Sequence, residues 1–117
     1  MFQIDTDTMN KKALTCAIRV IEEFRRISPE MQAQQMLTTL LIASEQGITV
    51  KELAERIGIS QAAASRCVAD WTGWTYRKEQ GPDYIEPKVD LMDTRRKPLH
   101  LKPKGCVFVQ RLTDHWS

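Results

Sequence analysis

A chain of 117 residues with 42% hydrophobic content has the length of one domain and enough apolar material for one modest core. The formal charge of +2 excludes a strongly basic or acidic protein, but the charge is unevenly placed. Residues 1–48 carry five Lys or Arg against six Asp or Glu; residues 49–117 carry twelve against nine, densest around Arg95, Arg96, Lys97, Lys102 and Lys104. No apolar run is long enough to span a bilayer, and the start Met-Phe-Gln-Ile-Asp-Thr-Asp lacks the pattern of a signal peptide, so a cytoplasmic protein without a membrane segment is expected. Cys16, Cys67 and Cys106 are odd in number and scattered, which fits reduced, mostly buried thiols. With only His100 and His115 as imidazoles and no Cys-x-x-Cys, neither a metal site nor another cofactor is indicated. No spacing gathers a nucleophile, base and oxyanion donors, so an enzyme is not expected.

Residues 1–10 are polar and read as a flexible N-terminus. A first helix is predicted over residues 11–27, with Leu14, Ala17, Ile18, Ile21, Phe24 and Arg25 along one face and Val20 and Ile27 widening it beyond what one core needs. Ser28-Pro29-Glu30 reads as N-cap, first-turn proline and dipole-favoured acid, opening a second helix from Pro29 to about Glu45 that Gly47 ends. Met36, Leu37, Leu40, Leu41 and Ala43 make it the expected centre of the core.

The most informative stretch follows. Thr49 and Glu52 have the spacing of a capping box, and Val50, Leu53, Ala54 and Ile57 form one stripe of a short helix. Gly58 is placed to stop it in a left-handed conformation, and Ser60 to cap the next helix two residues later. In that helix, expected to run to Trp71, Ala63, Cys67, Val68 and Trp71 form the inward stripe, while Gln61, Ala62, Ala64, Ser65 and Arg66 crowd its beginning. Two capped helices with a glycine turn read as a helix-turn-helix. Small residues let the second helix sit in a major groove, where Gln and Arg can bond in pairs to adenine and guanine edges.

Residues 72–83 have no helical period and are broken by Gly73 and Gly81-Pro82, so a loop is predicted, with room for a short strand at residues 74–76. Extended runs at residues 84–89 and 98–101 can pair as a hairpin whose tip carries Asp93, Thr94, Arg95, Arg96 and Lys97. A last helix from Pro103 to about His115 carries Val107, Phe108, Val109 and Leu112, with Trp116 beyond it. The expected fold is mainly α with a small β-hairpin wing, a single winged helix-turn-helix domain over residues 11–117, with the helix-turn-helix at 49–71 and the wing at 84–102.

Two motifs carry a family resemblance. Thr49-x-x-Glu52-Leu53-Ala54-x-x-Ile57-Gly58-Ile59-Ser60-x-x-x-x-Ser65-Arg66 and Asp93-Thr94-Arg95-Arg96-Lys97-x-Leu99-x-Leu101-x-x-Lys104-Gly105 stand in the order found in the MarR family of winged helix-turn-helix transcription regulators, which the chain resembles over residues 31–112. The resemblance implies a homodimeric DNA-binding regulator, a repressor, reading a pseudo-palindromic operator in double-stranded DNA. It places Gln61, Ala62, Ser65 and Arg66, with Ser60 at their head, near base edges or phosphates. Thr49 and Lys51 would lie at backbone phosphates, Arg95, Arg96 and Lys97 at the wing's groove, and Asp93 would position a wing arginine. An unidentified small-molecule effector is a usual further partner. Trp71, Trp74 and Tyr76 are the aromatics that could line its pocket, although rings beside a core helix more often simply pack. Some peroxide-responsive relatives sense oxidants through an N-terminal cysteine such as Cys16, although a cysteine on an apolar helix face is ordinarily a buried hydrophobe.

Three departures stand out. Lys102 occupies a position where members usually have a capping Thr, leaving Pro103 to start the helix. Residues 72–83 form a longer step to the wing than usual, which leaves the wing's angle open. The final helix is short, so dimerisation is expected to rest on Leu14, Ile18, Ile21, Val109, Leu112 and Trp116. The same fold would also serve a protein-interaction module, such as an adaptor or antagonist of another regulator, or a replication or partition factor.

Overall fold

The computed structural model describes residues 9–88, 91–93 and 96–117. Residues 1–8 of the flexible start expected at residues 1–10 fall outside these residues, as do the expected role of Arg95 and the positions Val89, Asp90 and Thr94. Five helices and a two-stranded hairpin follow in the order α1 (Lys11–Ile27), α2 (Ala33–Ser44), α3 (Val50–Ile57), α4 (Gln61–Ala69), β1 (Ile85–Pro87), β2 (Leu99–Leu101) and α5 (Pro103–Asp114). This is the winged helix-turn-helix arrangement expected from the motifs.

Helix α1 starts where Asn10 Oδ1 accepts the amide of Ala13 at 3.0 Å. Its single broad face resolves into two opposed ones. Cys16, Glu23 and Phe24 are buried, with Val20 and Ile27 packed beside them, whereas Leu14, Ile18 and Ile21 are each at least half exposed. The buried set follows the i, i+4, i+7, i+8 spacing and the exposed set follows i, i+4, i+7 on the opposite side. Inside, Glu23 meets Arg26 and Arg111 at 3.5 Å each and His115 at 3.8 Å, tying α1 to α5. Cys16 adds a thiol donated to the His115 carbonyl.

Helix α2 begins four residues later than the Ser-Pro-Glu signal implies. Ser28 instead ends α1, donating its amide to Phe24 O at 3.3 Å, and its own carbonyl accepts Met31 N at 3.1 Å in a tight turn. Gln32 is the cap, and its amide donates to Gln35 Oε1 at 2.9 Å. The inward positions are also shifted: Thr38, Thr39 and Ile42 are buried, Met36 and Leu41 are partly so, and Leu37 and Leu40 face outward. In a helix that is apolar nearly all round, neighbours rather than periodicity choose the face.

The helix-turn-helix forms as the caps require. Thr49 Oγ1 accepts Glu52 N at 3.3 Å, and Glu52 Oε1 accepts Thr49 N at 3.3 Å and Thr49 Oγ1 at 2.9 Å. Gly58 adopts φ +83°, and Gly58 and Ile59 both donate to Ala54 O, closing the C-terminus of α3. Ser60 Oγ accepts Ala63 N at 3.1 Å at the head of α4. Helix α4 ends at Ala69, two residues short of Trp71, and its inward stripe is Ala64, Cys67, Val68 and Trp71. Ala63, expected inside, lies at the side, and Ala64 takes its place with no exposed surface.

The core joins Phe24, Ile42, Ile48, Leu53, Val68, Trp71, Ile85, Leu99, Phe108 and Leu112 from every element. Within it Phe24 meets Trp71 and Phe108 edge-on, at centroid separations of 6.0 and 5.4 Å, and Tyr84 stacks on Trp71 and Phe108 at 5.8 and 5.1 Å. Leu112, expected at a dimer seam, is only 2% exposed and belongs to this core; Val107, on another side of the helix, is the exposed valine of α5. Cys106 is likewise exposed, while Cys16 and Cys67 are buried.

Helix α5 lies tightly against the start of the wing. A Cβ built on Gly105 would stand 2.2 Å from the carbonyl oxygen of Tyr84, a backbone atom whose own position is fixed by the amide of Lys102 at 2.8 Å. Gly105→Ala is therefore expected to destabilise the fold by about 1–3 kcal/mol, the usual range for overpacking, measured as a lower urea midpoint with an unchanged m-value.

Candidate nucleic-acid interface

Two elements build the candidate surface: α4, which packs on α2 and α3, and the wing, which is fixed to the turn before α3. Strands β1 and β2 pair antiparallel in the register Ile85 with Leu101, Glu86 with His100 and Pro87 with Leu99. Leu99 also bonds outward on its other edge: its carbonyl accepts Gly47 N and its amide donates to Ile48 O, both at 2.8 Å. Gln46 Oε1 accepts Leu101 N at 3.2 Å. The wing is thus clipped by backbone bonds to the segment that leads into the helix-turn-helix. Gly47, at φ +98°, supplies the turn that makes this approach possible.

On α4, Gln61, Ala62, Ser65 and Arg66 are all exposed, opposite the buried Ala64, Cys67 and Val68. The long helix-breaking stretch between α4 and β1 is a folded excursion rather than an open loop. Trp71 O accepts both Tyr84 N at 2.8 Å and Ile85 N at 3.1 Å, so the chain leaves and returns at one point. Between them Gly73 O accepts Gly81 N at 3.1 Å and Glu79 O accepts Thr75 N at 2.9 Å, with a bridge between Trp74 and Gln80. Lys78 turns the tip at φ +60°. Asp83, at φ +62°, pairs with Lys102 Nζ at 3.0 Å, a contact that holds the Lys102 ammonium above the ordinary lysine range.

The excursion leans on α4. Arg66 Cζ stands 5.0 Å from the centroid of the Tyr76 ring. Asp70, the C-cap of α4, accepts Tyr76 N at 3.3 Å with one oxygen and Gln35 Nε2 at 2.7 Å with the other. A cleft of about 950 Å³ opens beside it, between the α1–α2 turn, α4 and the excursion, with Met31, Arg66, Asp70, Trp71 and Tyr76 among its walls. Of the three candidate pocket aromatics, Trp71 and Tyr76 line it and Trp74 does not, and Trp71 owes its burial to the core. Cys67 also borders the cleft, and burial pushes its thiol up, away from thiolate chemistry.

At the wing, Thr49, Lys51, Glu52, Glu55, Asp93 and Arg96 line one shallow hollow. Arg96 does not stand alone at the tip. Its Nη2 approaches Gly47 O at 3.4 Å and Glu52 Oε1 at 3.9 Å, and its amide donates to Asp93 O at 3.0 Å. Lys51 and Lys97 are exposed, and Ser60 is exposed while its hydroxyl caps α4. The double role of Glu52, cap of α3 and partner of a wing arginine, is not evident from the motif; the only signal for it is an acid facing a basic tip across a short hairpin. Asp70 and Tyr76 escape sequence reasoning because their partnership depends on how residues 72–83 fold. Among the described residues no group of His, Cys, Asp and Glu could hold a metal ion, and no helix is long and apolar enough to cross a membrane.

Known proteins share this architecture. The winged helix-turn-helix DNA-binding family matches residues 40–70. Comparison with curated proteins gives no match. Among solved structures, the S. aureus MepR–DNA complex is similar at 22% identity and TM-score 0.62, over 91% of this chain and 77% of that one. RV1404 from Mycobacterium tuberculosis is 17% identical with TM-score 0.65, over 98% and 76%. Streptococcus pneumoniae FabT in complex with DNA is 20% identical with TM-score 0.60, over 96% and 76%.

The Thr49 hydroxyl and amide, followed by the Arg96 charge, hold the Glu52 carboxyl below its ordinary value. A depressed folded-state value means that the unfolded chain binds the proton more tightly, so this contribution is full above the ordinary carboxylate range, about pH 4, and is lost as pH falls through the folded value. The stability difference between the wild type and Glu52→Ala is expected to be present at pH 7 and to shrink in urea titrations below about pH 4. The chain folds as a winged helix-turn-helix of the kind seen in MepR, RV1404 and FabT.

Proposed function

We propose that the protein is a MarR-like, sequence-specific DNA-binding transcriptional regulator that acts as a homodimeric repressor. The observation that carries this reading is the joint placement of α4 and the wing. A capped helix exposes Gln61, Ala62, Ser65 and Arg66 on one face, and a hairpin carrying Arg96 and Lys97 is clipped through Leu99 to the turn that leads into the helix-turn-helix. Ala62 and Ser65 leave room for close approach to base edges, while Gln61 and Arg66 supply donors of the type that read adenine and guanine. Thr49 and Lys51 stand at the N-terminus of α3, where backbone amides favour a phosphate. That MepR and FabT, two proteins of the same fold, are seen with DNA supports the assignment.

Binding a phosphate beside Glu52 sets a requirement. Arg96, 3.9 Å from that carboxylate, and Lys51 offset part of the negative charge that Glu52, Glu55 and Asp93 bring to the hollow, so the role of Arg96 joins wing placement to electrostatics. Lys97 extends the same basic edge, and Arg95, its near neighbour in sequence, adds to the charge. Two copies related by a twofold axis would present two recognition helices to half-sites about one helical turn apart. The exposed apolar residues Leu14, Ile18 and Ile21 of α1, with Val107 and Trp116, supply the surface for this pairing, and Val109 supports it from a partly buried position. A cleft-bound small molecule is the form of effector that the architecture accommodates.

Selection of bound sequences from random duplex DNA is expected to return a symmetric motif. On that duplex, Arg66→Ala or Arg96→Ala should weaken binding about five- to a hundredfold, the range of about 1–3 kcal/mol for a good base or charge contact, with an unchanged melting profile. Affinity should fall steeply with salt. Unchanged affinity in both variants, or no DNA bound at low salt, overturns the reading. Sedimentation of Ile18→Glu is expected to show a shift from dimer to monomer; a wild type that is monomeric at tens of micromolar removes the homodimer.

A further inference from the structure

We infer that Tyr76, in the excursion between α4 and the wing, is a positioning residue for Arg66 and makes this excursion part of the DNA-reading apparatus; the inference rests on the function proposed above. Arg66 belongs to the outward face of α4 with Ala62, opposite the buried Ala64. On a helix surface an unsupported arginine samples many rotamers and loses that freedom on binding. Here its guanidinium lies over the Tyr76 ring, 5.0 Å from the centroid. A cation–π contact of this kind draws on the charge and consumes no hydrogen-bond donor, so the N–H groups stay available to fork onto a base edge.

The backbone that carries the ring is held. Tyr76 N donates to Asp70 Oδ1 at 3.3 Å, and the other Asp70 oxygen is occupied by Gln35 of α2 at 2.7 Å. Hydrogen bonds from Gly81 to Gly73, Thr75 to Glu79 and Lys78 to Thr75 brace the excursion. Gly81 is required in it, because a Cβ there would stand 2.1 Å from Thr72 O. Tyr76 nevertheless remains 58% exposed, more than packing alone would leave a ring with so many tethers around it. A braced, exposed ring beneath an arginine of the recognition face is a platform that presets the arginine's direction.

The test is a double-mutant cycle on the duplex recovered by selection with the wild-type protein. Tyr76→Phe keeps the ring and should bind within about twofold of wild type. Tyr76→Leu should weaken binding about two- to fivefold, the worth of an exposed cation–π contact, and flatten the base preference at the position read by Arg66. In an Arg66→Ala background, Tyr76→Leu should change nothing further. Thermal melts identify any variant that loses its fold, in which case Tyr76→His, which keeps a flat ring, replaces Tyr76→Leu in a titration at about pH 8, where the imidazole is neutral, and should retain the base preference. Equal affinity and preference for Tyr76→Leu and wild type overturns the inference, as does an undiminished effect in the Arg66→Ala background, which would mean that the excursion touches DNA by itself. A wild type that selects no DNA sinks the proposed function instead, before the cycle begins.

Discussion

Trp71 is the residue on which the rest of the architecture is hung. Its ring is buried between Phe24 of α1, Phe108 of α5 and Tyr84 at the start of the wing, and its indole N–H donates to Gln35 O in α2 at 2.8 Å. Its backbone amide closes the end of α4 on Val68 O, and its carbonyl receives the first two amides of the returning chain. One residue, through its side chain, amide and carbonyl, thereby fixes the end of α4, the root of the wing and both outer helices. A small domain has room for few such contacts, because most of its residues lie near the surface. Concentrating them in a single tryptophan keeps α4 and the wing in one frame.

The recognition unit adds a second constraint, which is electrostatic. Helix α3 needs an acid at its first turn to satisfy its free amides, yet the same end is where a phosphate would dock. The Glu52 carboxylate closes the cap by accepting the amide of Thr49, and Arg96 from the wing offsets part of the charge this introduces. Helix capping and wing placement are thus coupled through one carboxylate. The ion pair is exposed and contributes little to stability by itself; its weight lies in the local potential.

What is legible in the sequence follows from where a residue's environment is decided. Caps are local, so Thr49, Glu52, Gly58 and Ser60 are enough to place α3 and the start of α4. The hairpin pairing follows from alternation, and Pro103 marks the start of α5. Faces are not local. Ala63 and Ala64 have the same chemistry, and only the direction of packing separates them. The apolar surplus of α1 signals more apolar surface than the core covers, but it does not separate Phe24, which is inside, from Ile18 and Ile21, which are outside. Ser28-Pro29-Glu30 has every property of a helix start and instead makes a turn, because Ser28 is already engaged in closing α1. Leu112, expected at a dimer seam, lies in the core with Phe108 for a related reason: an i, i+4 stripe has no inside or outside until its partner is known.

The closed base of the excursion has an evolutionary reading. Because the chain departs at Trp71 and is received again by the same carbonyl at Tyr84 and Ile85, the intervening segment is anchored like an appendage rather than threaded through the frame. The entropy of closing such a segment grows only slowly with its length. Substitutions, insertions and deletions between these anchors can therefore accumulate while the core and the wing stay in place. A lineage carrying this arrangement holds a region beside α4 that can be remodelled while the anchors at Trp71, Tyr84 and Ile85 are kept.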